Sequence, residues 1–338
     1  MSVRRAIVKP GFTPTRREFL VATTTLGLGM FVARSHAQPR HRTMVVGIVD
    51  IVPRSEPDRS RAWGAFDKAM QENGWVEGEN IVFERRYFRG DFSRLTGLLA
   101  ELVALEPDVI ITITAPATIA AKQATDRIPI VFAVGDAVGR GLITTLAQPG
   151  GNATGTSGQF VEQQAKRIEL LQQLSPNVAR VSVLINTDLG FPPAMFQEPR
   201  SHGVEIFIVE FRGAHDLDRA LATTVKQRAD AVLLSQLWSG SQFRAQIVEA
   251  IARLRLPAIF PIREYVELGG LISYGTDWGP NLGRAAIYVD KILRGAKPAD
   301  LPVEQPIAID LAINLKTAKS LGVAVPREIL LRADWIVE

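Results

Sequence analysis

No cysteine occurs in the 338 residues, and only four histidines do. The first absence excludes disulfides, thiolate metal sites and a cysteine nucleophile. The second leaves His202 and His215 as the histidines well inside the chain, in different segments. A histidine metal cluster or a Ser-His-Asp triad therefore lacks its parts. There is no Gly-x-Ser-x-Gly elbow, no phosphate-binding glycine-rich motif, no dinucleotide fingerprint and no set of acids at metal spacing. These gaps argue against an enzyme, a bound metal or a cofactor. Beyond the first 40 residues no apolar run is long enough to span a bilayer.

The apolar run Val21–Ala33 is itself too short to span, and Thr23, Thr24, Thr25, Gly27 and Gly29 dilute it. It follows Thr15-Arg16-Arg17-Glu18-Phe19-Leu20 and precedes Ser35-His36-Ala37, just before Gln38. Paired arginines, a weakly apolar core and a small-x-small cleavage site are the parts of a twin-arginine export signal. An ordinary N-terminal helix that begins with two arginines is the alternative. On the export reading Arg16 and Arg17 are the signal residues, residues 1–37 are removed, and the twin-arginine translocase is a partner. No Cys follows the apolar run, so a lipid anchor is excluded. The expected location is the periplasm, as a soluble protein. Residues 1–37 hold six basic side chains against Glu18 alone, while the whole chain carries +4. Removal leaves a net charge of about −1, so the basic character belongs to the leader and gives no reason to expect nucleic acid.

The remaining chain of roughly 300 residues exceeds one comfortable core, which predicts two domains. Short β-branched runs alternate with amphipathic helical patterns. Val45–Val52, Ile81–Tyr87, Asp108–Thr114 and Ile130–Val134 read as strands, and Arg59–Asn73, Phe92–Leu105 and Ala117–Ala124 as helices. Turn formers from Pro149 to Gly155 interrupt the pattern and mark a crossing between domains. A second set follows: helix Gln163–Leu174, strand Val181–Asn186, a Pro-broken helix, strand Glu205–Glu210, helix Leu217–Arg228 and strand Ala231–Ser235. Then come helix Phe243–Leu254, strand Ala258–Phe260, a strand in Gly269–Gly275, helix Asn281–Arg294, strand Ile307–Ile313 and helix Leu315–Leu321. Alternation at this spacing predicts an α/β chain of parallel βαβ units with right-handed crossovers, in two Rossmann-like lobes.

Several stretches carry a family resemblance. They include Asn73-Gly74-Trp75-Val76-Glu77-Gly78-Glu79-Asn80, Ile128-Pro129-Ile130-Val131-Phe132, and the run from Ala147 to Gly155. Further stretches are Lys166-Arg167-Ile168-Glu169-Leu170-Leu171, the run from Gly269 to Gly275, that from Gly295 to Pro302, and Ile313-Asn314-Leu315-Lys316-Thr317-Ala318-Lys319. In this order they resemble the tryptophan/tyrosine-binding-like substrate-binding proteins of ABC transporters. The resemblance implies a type I periplasmic-binding fold, whose two lobes are joined by a three-crossing hinge and close on a small ligand. It also implies a monomer that delivers its solute to an inner-membrane permease. By that analogy the first lobe takes residues 44–154 and 276–306, and the second 155–275 and 307–338.

Ligands of open α/β sheets lie outside the carboxyl ends of the strands. In the first lobe these ends carry Ser55, Thr114, Ala115, Thr118 and Asp136. The turn Thr114–Thr118 enters a helix, where free N–H groups favour a carboxylate; equally, either threonine merely caps that helix. Asp136 is placed to meet an amino group of the ligand or to cap a helix Ala137–Leu146. In the second lobe Asn186 and Trp238 stand at strand ends, with Trp238 as a stacking face or a loop anchor. Tyr274 and Asp277 flank a crossing; Tyr265 reads as helix packing. The Asn186, Asp136 and Trp238 loops depart from the family's pattern, so the ligand is expected only as amino-acid-like or another small carboxylate or amide. A periplasmic sensor presenting solute to a membrane receptor is the alternative, and a hydrolase on the same scaffold a more distant one.

Overall fold

Five consecutive buried residues, Val46–Asp50, have the continuous burial of a parallel strand covered on both faces. In the computed structural model, which describes residues 42–338 except 52, 54–56, 90, 188–202, 236–240 and 306–307, this run lies in β1 (Met44–Asp50). With β2 (Ile81–Tyr87), β3 (Val109–Thr112), β4 (Ile130–Gly135) and β5 (Ala153–Gly158) it forms a five-stranded sheet in the order β2-β1-β3-β4-β5. Every pairing in that sheet is parallel. Helices α1 (Pro57–Glu72), α2 (Leu95–Ala104) and α3 (Ala115–Ala124) provide its crossovers. Side chains along β1 alternate between two cores. Val46 and Ile48 join Trp63 and Phe66 of α1, whereas Val49 joins Leu99 and Leu102 of α2. Each large side chain so buried contributes roughly 1.5–3 kcal/mol.

The second half of the chain forms a seven-stranded sheet in the order β12-β11-β10-β9-β8-β6-β7. Its strands are β6 (Arg180–Asn186), β7 (Glu205–Phe211), β8 (Ala231–Leu234), β9 (Ala258–Phe260), β10 (Ile272–Thr276), β11 (Ile309–Asn314) and β12 (Trp335–Val337). Helices in this half are α4 (Phe160–Leu174), α5 (Leu217–Lys226), α6 (Ser241–Ala252), α7 (Arg263–Glu267), α8 (Trp278–Leu293), α9 (Leu315–Leu321) and α10 (Arg327–Arg332). The chain is thus α/β with two predominantly parallel sheets. Among the described strands the one antiparallel pair is β10 with β11, where Thr276 faces Ile309. The reason is connectivity: β11 starts from the end at which β10 finishes, so it can only run back. Helix α8 leaves the second sheet and packs on α1, burying Leu282, Ala285 and Val289 in the core that holds Trp63. Residues Thr43–Glu338 form one compact unit.

Two expectations change, and two elements were not read. The segment Ala137–Leu146 contains no helix: Asp136 and Gly141 have left-handed backbone (φ 52° and 66°), and a turn replaces the helix. Gly155 lies inside β5, which continues to Gly158, so the chain leaves the first sheet later than the glycine-rich turn suggests. Gly155 (φ 147°) is needed there because a Cβ would meet the Phe132 carbonyl oxygen at 1.9 Å. Finally, α10 and β12 are too short for periodicity to reveal. The Pro-broken helix expected after Asn186 lies outside the described residues, as do Arg16, Arg17 and the whole candidate export signal.

Candidate ligand-binding site

All five strands of the first sheet end at one edge, which brings the expected residues of β3 and β4 onto neighbouring strands. Thr114 is the N-cap of α3, its Oγ1 accepting the Ala117 N–H at 3.3 Å. Ala115 is buried as the first helical residue. Thr118 is fully buried, and its hydroxyl donates to the Thr114 carbonyl at 2.9 Å while standing 2.8 Å from the Thr112 hydroxyl. Its proton is therefore engaged inside the fold. Asp136 caps a turn in place of a helix: its Oδ1 accepts the Gly139 N–H at 2.9 Å. A Cβ at Gly139 would collide with that carboxylate. Burial lowers the pKa of the nearby Arg140 guanidinium, and the charge of Asp136 opposes that shift.

A group not singled out from the sequence stands at the end of β1. Asp50 is fully buried, accepting the Ile51 N–H at 2.7 Å through Oδ1 and the Trp63 indole N–H at 2.9 Å through Oδ2. These bonds fix the strand end to α1.

On the second sheet, Asn186 closes β6 and is nearly fully buried. The Tyr274 ring packs against the core of that sheet, and its carbonyl is held by Arg167. Arg167 rises from α4 and is 2% exposed. Its Nε donates to Tyr274 O (2.6 Å), Nη1 to Ser235 O (3.2 Å) and Nη2 to Pro261 O (3.4 Å). One guanidinium thus ties the ends of β8, β9 and β10. Burial pulls its pKa down to about 9, opposed by the Tyr274 phenol. Gln164, one turn away, also donates to Ser235 O at 3.3 Å. Ser55 and Trp238 lie outside the described residues.

The chain passes between the sheets three times: after Gly158, after Thr276, and between Glu304 and Ile309. Hydrogen bonds hold these passages side by side. Ser157 N–H donates to Glu304 O (2.9 Å), Glu304 N–H to Gly155 O (3.1 Å), and Asp277 N–H to Ala308 O (3.1 Å). Asp277 also caps α8 through the Gly279 N–H, and Gln163 Nε2 donates to Thr276 Oγ1 at 2.8 Å. Beside the passages opens a polar cavity of about 150 Å³ lined by Asp136, Ser157, Gln159, Glu162 and Gln305, among others. Two carboxylates and two amides suit hydrogen-bond donors and positive charge.

The arrangement has counterparts among known proteins. The family model described as ABC transporter substrate binding protein matches residues 46–337. The chain belongs to that family. It is a family of binding proteins and not of enzymes. A tyrosine-binding protein of Clostridioides difficile strain R20291 is 26% identical over 291 residues, covering 82% of this chain and 80% of its own. A conserved domain protein of Vibrio cholerae is 27% identical in its crystal structure, with a TM-score of 0.77, covering 87% of this chain and 100% of that one. An ABC domain from Streptococcus pneumonia, crystallised with L-Trp, is 23% identical with a TM-score of 0.79 and the same coverage. These solved structures share the fold of type I periplasmic binding proteins.

The buried polar face of α4 is what residue-by-residue reading passed over. Gln163 and Gln164 occupy core positions one turn before Arg167, next to Ile168 and Leu171. Three polar residues on the inward stripe of an amphipathic helix are a readable signal, since a buried polar side chain needs a partner.

Proposed function

We propose that this protein is the exported solute receptor of an ABC importer, capturing an aromatic or related amino acid between its two sheet edges. The match across residues 46–337 carries the reading. The tyrosine-binding relative and the L-Trp complex favour an aromatic amino acid over other small carboxylates or amides. Residues 44–158 with 277–304 act as one lobe and 159–276 with 309–338 as the other, the first boundary lying later than the expected 154/155 because β5 runs on to Gly158. The solute sits against Thr114, Ala115 and Asp136 on one side and Asn186 and the Trp238 loop on the other, with Ser55, Tyr274 and Asp277 nearby. A membrane permease receives it, and the protein works as a monomer. Isothermal calorimetry with L-tyrosine and L-tryptophan tests the reading, with micromolar or tighter binding expected. No heat with either, from protein that melts cooperatively, sinks it.

The twin-arginine motif supports export to the periplasm, with Gln38 at or within a residue or two of the new N-terminus. Replacing Arg16 and Arg17 together by Lys is expected to leave full-length precursor in the cytoplasm. Normal delivery of the double variant rules that route out.

A further inference from the structure

Among the described residues Arg167 is a cation without an anion. Its three partners are backbone carbonyls, and no Asp or Glu among the described residues acts on its charge; the titratable neighbour that does is the Tyr274 phenol. Withdrawing a guanidinium from water is costly, and buried charges are ordinarily paired. The fold nevertheless makes room for this one. A Cβ at Gly275 would stand 2.9 Å from Arg167 Nη2 and 2.0 Å from Pro261 O. At the same Ser235 carbonyl, Gln164 leaves its own Oε1 buried with no donor among the described residues. Both groups lie behind the carboxyl ends of β8, β9 and β10, the edge at which an α/β sheet meets its ligand.

We propose that Arg167 is a specificity-determining residue: its unneutralised charge behind this edge favours a solute that carries a carboxylate over the same solute without one. The inference rests on the solute-capture reading above. Arg167 is too deeply buried to touch a ligand, so it acts through its field. At an effective dielectric of about 20, a unit charge some 8–10 Å away is felt by an anion as roughly a tenfold or greater effect on affinity.

The test compares L-tyrosine with L-tyrosinamide, and L-tryptophan with L-tryptophanamide, by calorimetry on wild type, Arg167→Gln and Arg167→Lys. Wild type is expected to prefer each acid over its amide. Arg167→Gln should lower that preference by about tenfold, and Arg167→Lys should retain most of it. A purely structural role would weaken acid and amide together in both variants, leaving the preference intact, and would overturn the proposal. Equal wild-type affinities for acid and amide also overturn it, while leaving solute capture standing. Binding of none of the four overturns the amino-acid reading and this inference with it. Should Arg167→Gln fail to melt cooperatively, Arg167→Lys decides: a folded Lys variant without the preference refutes the role of charge.

Discussion

Thr114 and Thr118 are four residues apart and look interchangeable in the sequence, yet they do different work. Thr114 is half-exposed and satisfies the Ala117 N–H, one of the free donors at the start of α3. Thr118 faces inward, where its hydroxyl links the Thr114 carbonyl to the Thr112 hydroxyl. Both readings weighed for this turn, cap and ligand donor, were open from residue type alone, because direction depends on the helix phase. Thr118→Val preserves shape but leaves buried polar groups short of a partner, so it should cost about 1–3 kcal/mol in urea unfolding with little change in affinity for L-tyrosine. Thr114→Ala should cost about 1 kcal/mol through the lost cap. A Thr118→Val protein that unfolds like wild type but binds tyrosine tenfold more weakly contradicts the assignment.

Elements were far more legible than the contacts between them. Ile81–Tyr87, Ala258–Phe260 and Leu315–Leu321 have the same bounds in the sequence reading and in the structure, because breakers mark their ends: Gly78 and Asn80 precede the first, Pro257 and Pro261 flank the second, and Asn314 and Gly322 cap the third. Ala137–Leu146 misled because its composition suits a helix while its backbone is decided by Asp136 and Gly141. The passages between sheets were legible as turn-rich stretches, but not the pairs that clamp them. Arg284 of α8 makes a bidentate ion pair with Glu304, and Tyr288 donates to Pro302 O. The hydrogen bonds from Arg284 hold the Glu304 carboxyl below its ordinary pKa, against the pull of burial. A carboxylate depressed in the folded state gives stability that is present above its unfolded pKa and lost as the pH falls through the folded value. Wild type should therefore lose an increment of about 1 kcal/mol or less, given the exposure of the pair, as pH drops from ~5 to ~3. Glu304→Gln should lack that part of the acid limb while keeping its backbone bonds to Gly155 and Ser157. Superimposable acid limbs for the two proteins in thermal melts would show that the pair adds nothing.

At the scale of the molecule, the α/β class was written in the alternation of patterns, and the two sheets follow from it. The antiparallel β10–β11 pair was not legible, since it depends on where the third passage begins and not on any local pattern. The strand ends were legible because topology dictates them, but the local partners there were not: Asp136 holds the Gly139 N–H, the Tyr274 ring faces a core, and Arg167 was read only as part of a helix and a family stretch. Ligand capture adds a last consequence. On the proposed capture the fold bends at the three adjacent passages, which are tied by a few backbone hydrogen bonds and the side-chain pairs above, because bending there leaves the core on either side packed. A solute gripped by groups from both sheet edges binds the closed arrangement better than the open one, and it can shift the population only by that difference. Small-angle scattering on the protein from Gln38 onward should thus show a smaller radius of gyration with saturating L-tyrosine than without it. The same contraction should be absent with a solute that calorimetry shows not to bind. An unchanged radius at confirmed saturation would mean that the amino acid enters a site already formed, and closure on the ligand would have to be abandoned even though binding itself stands.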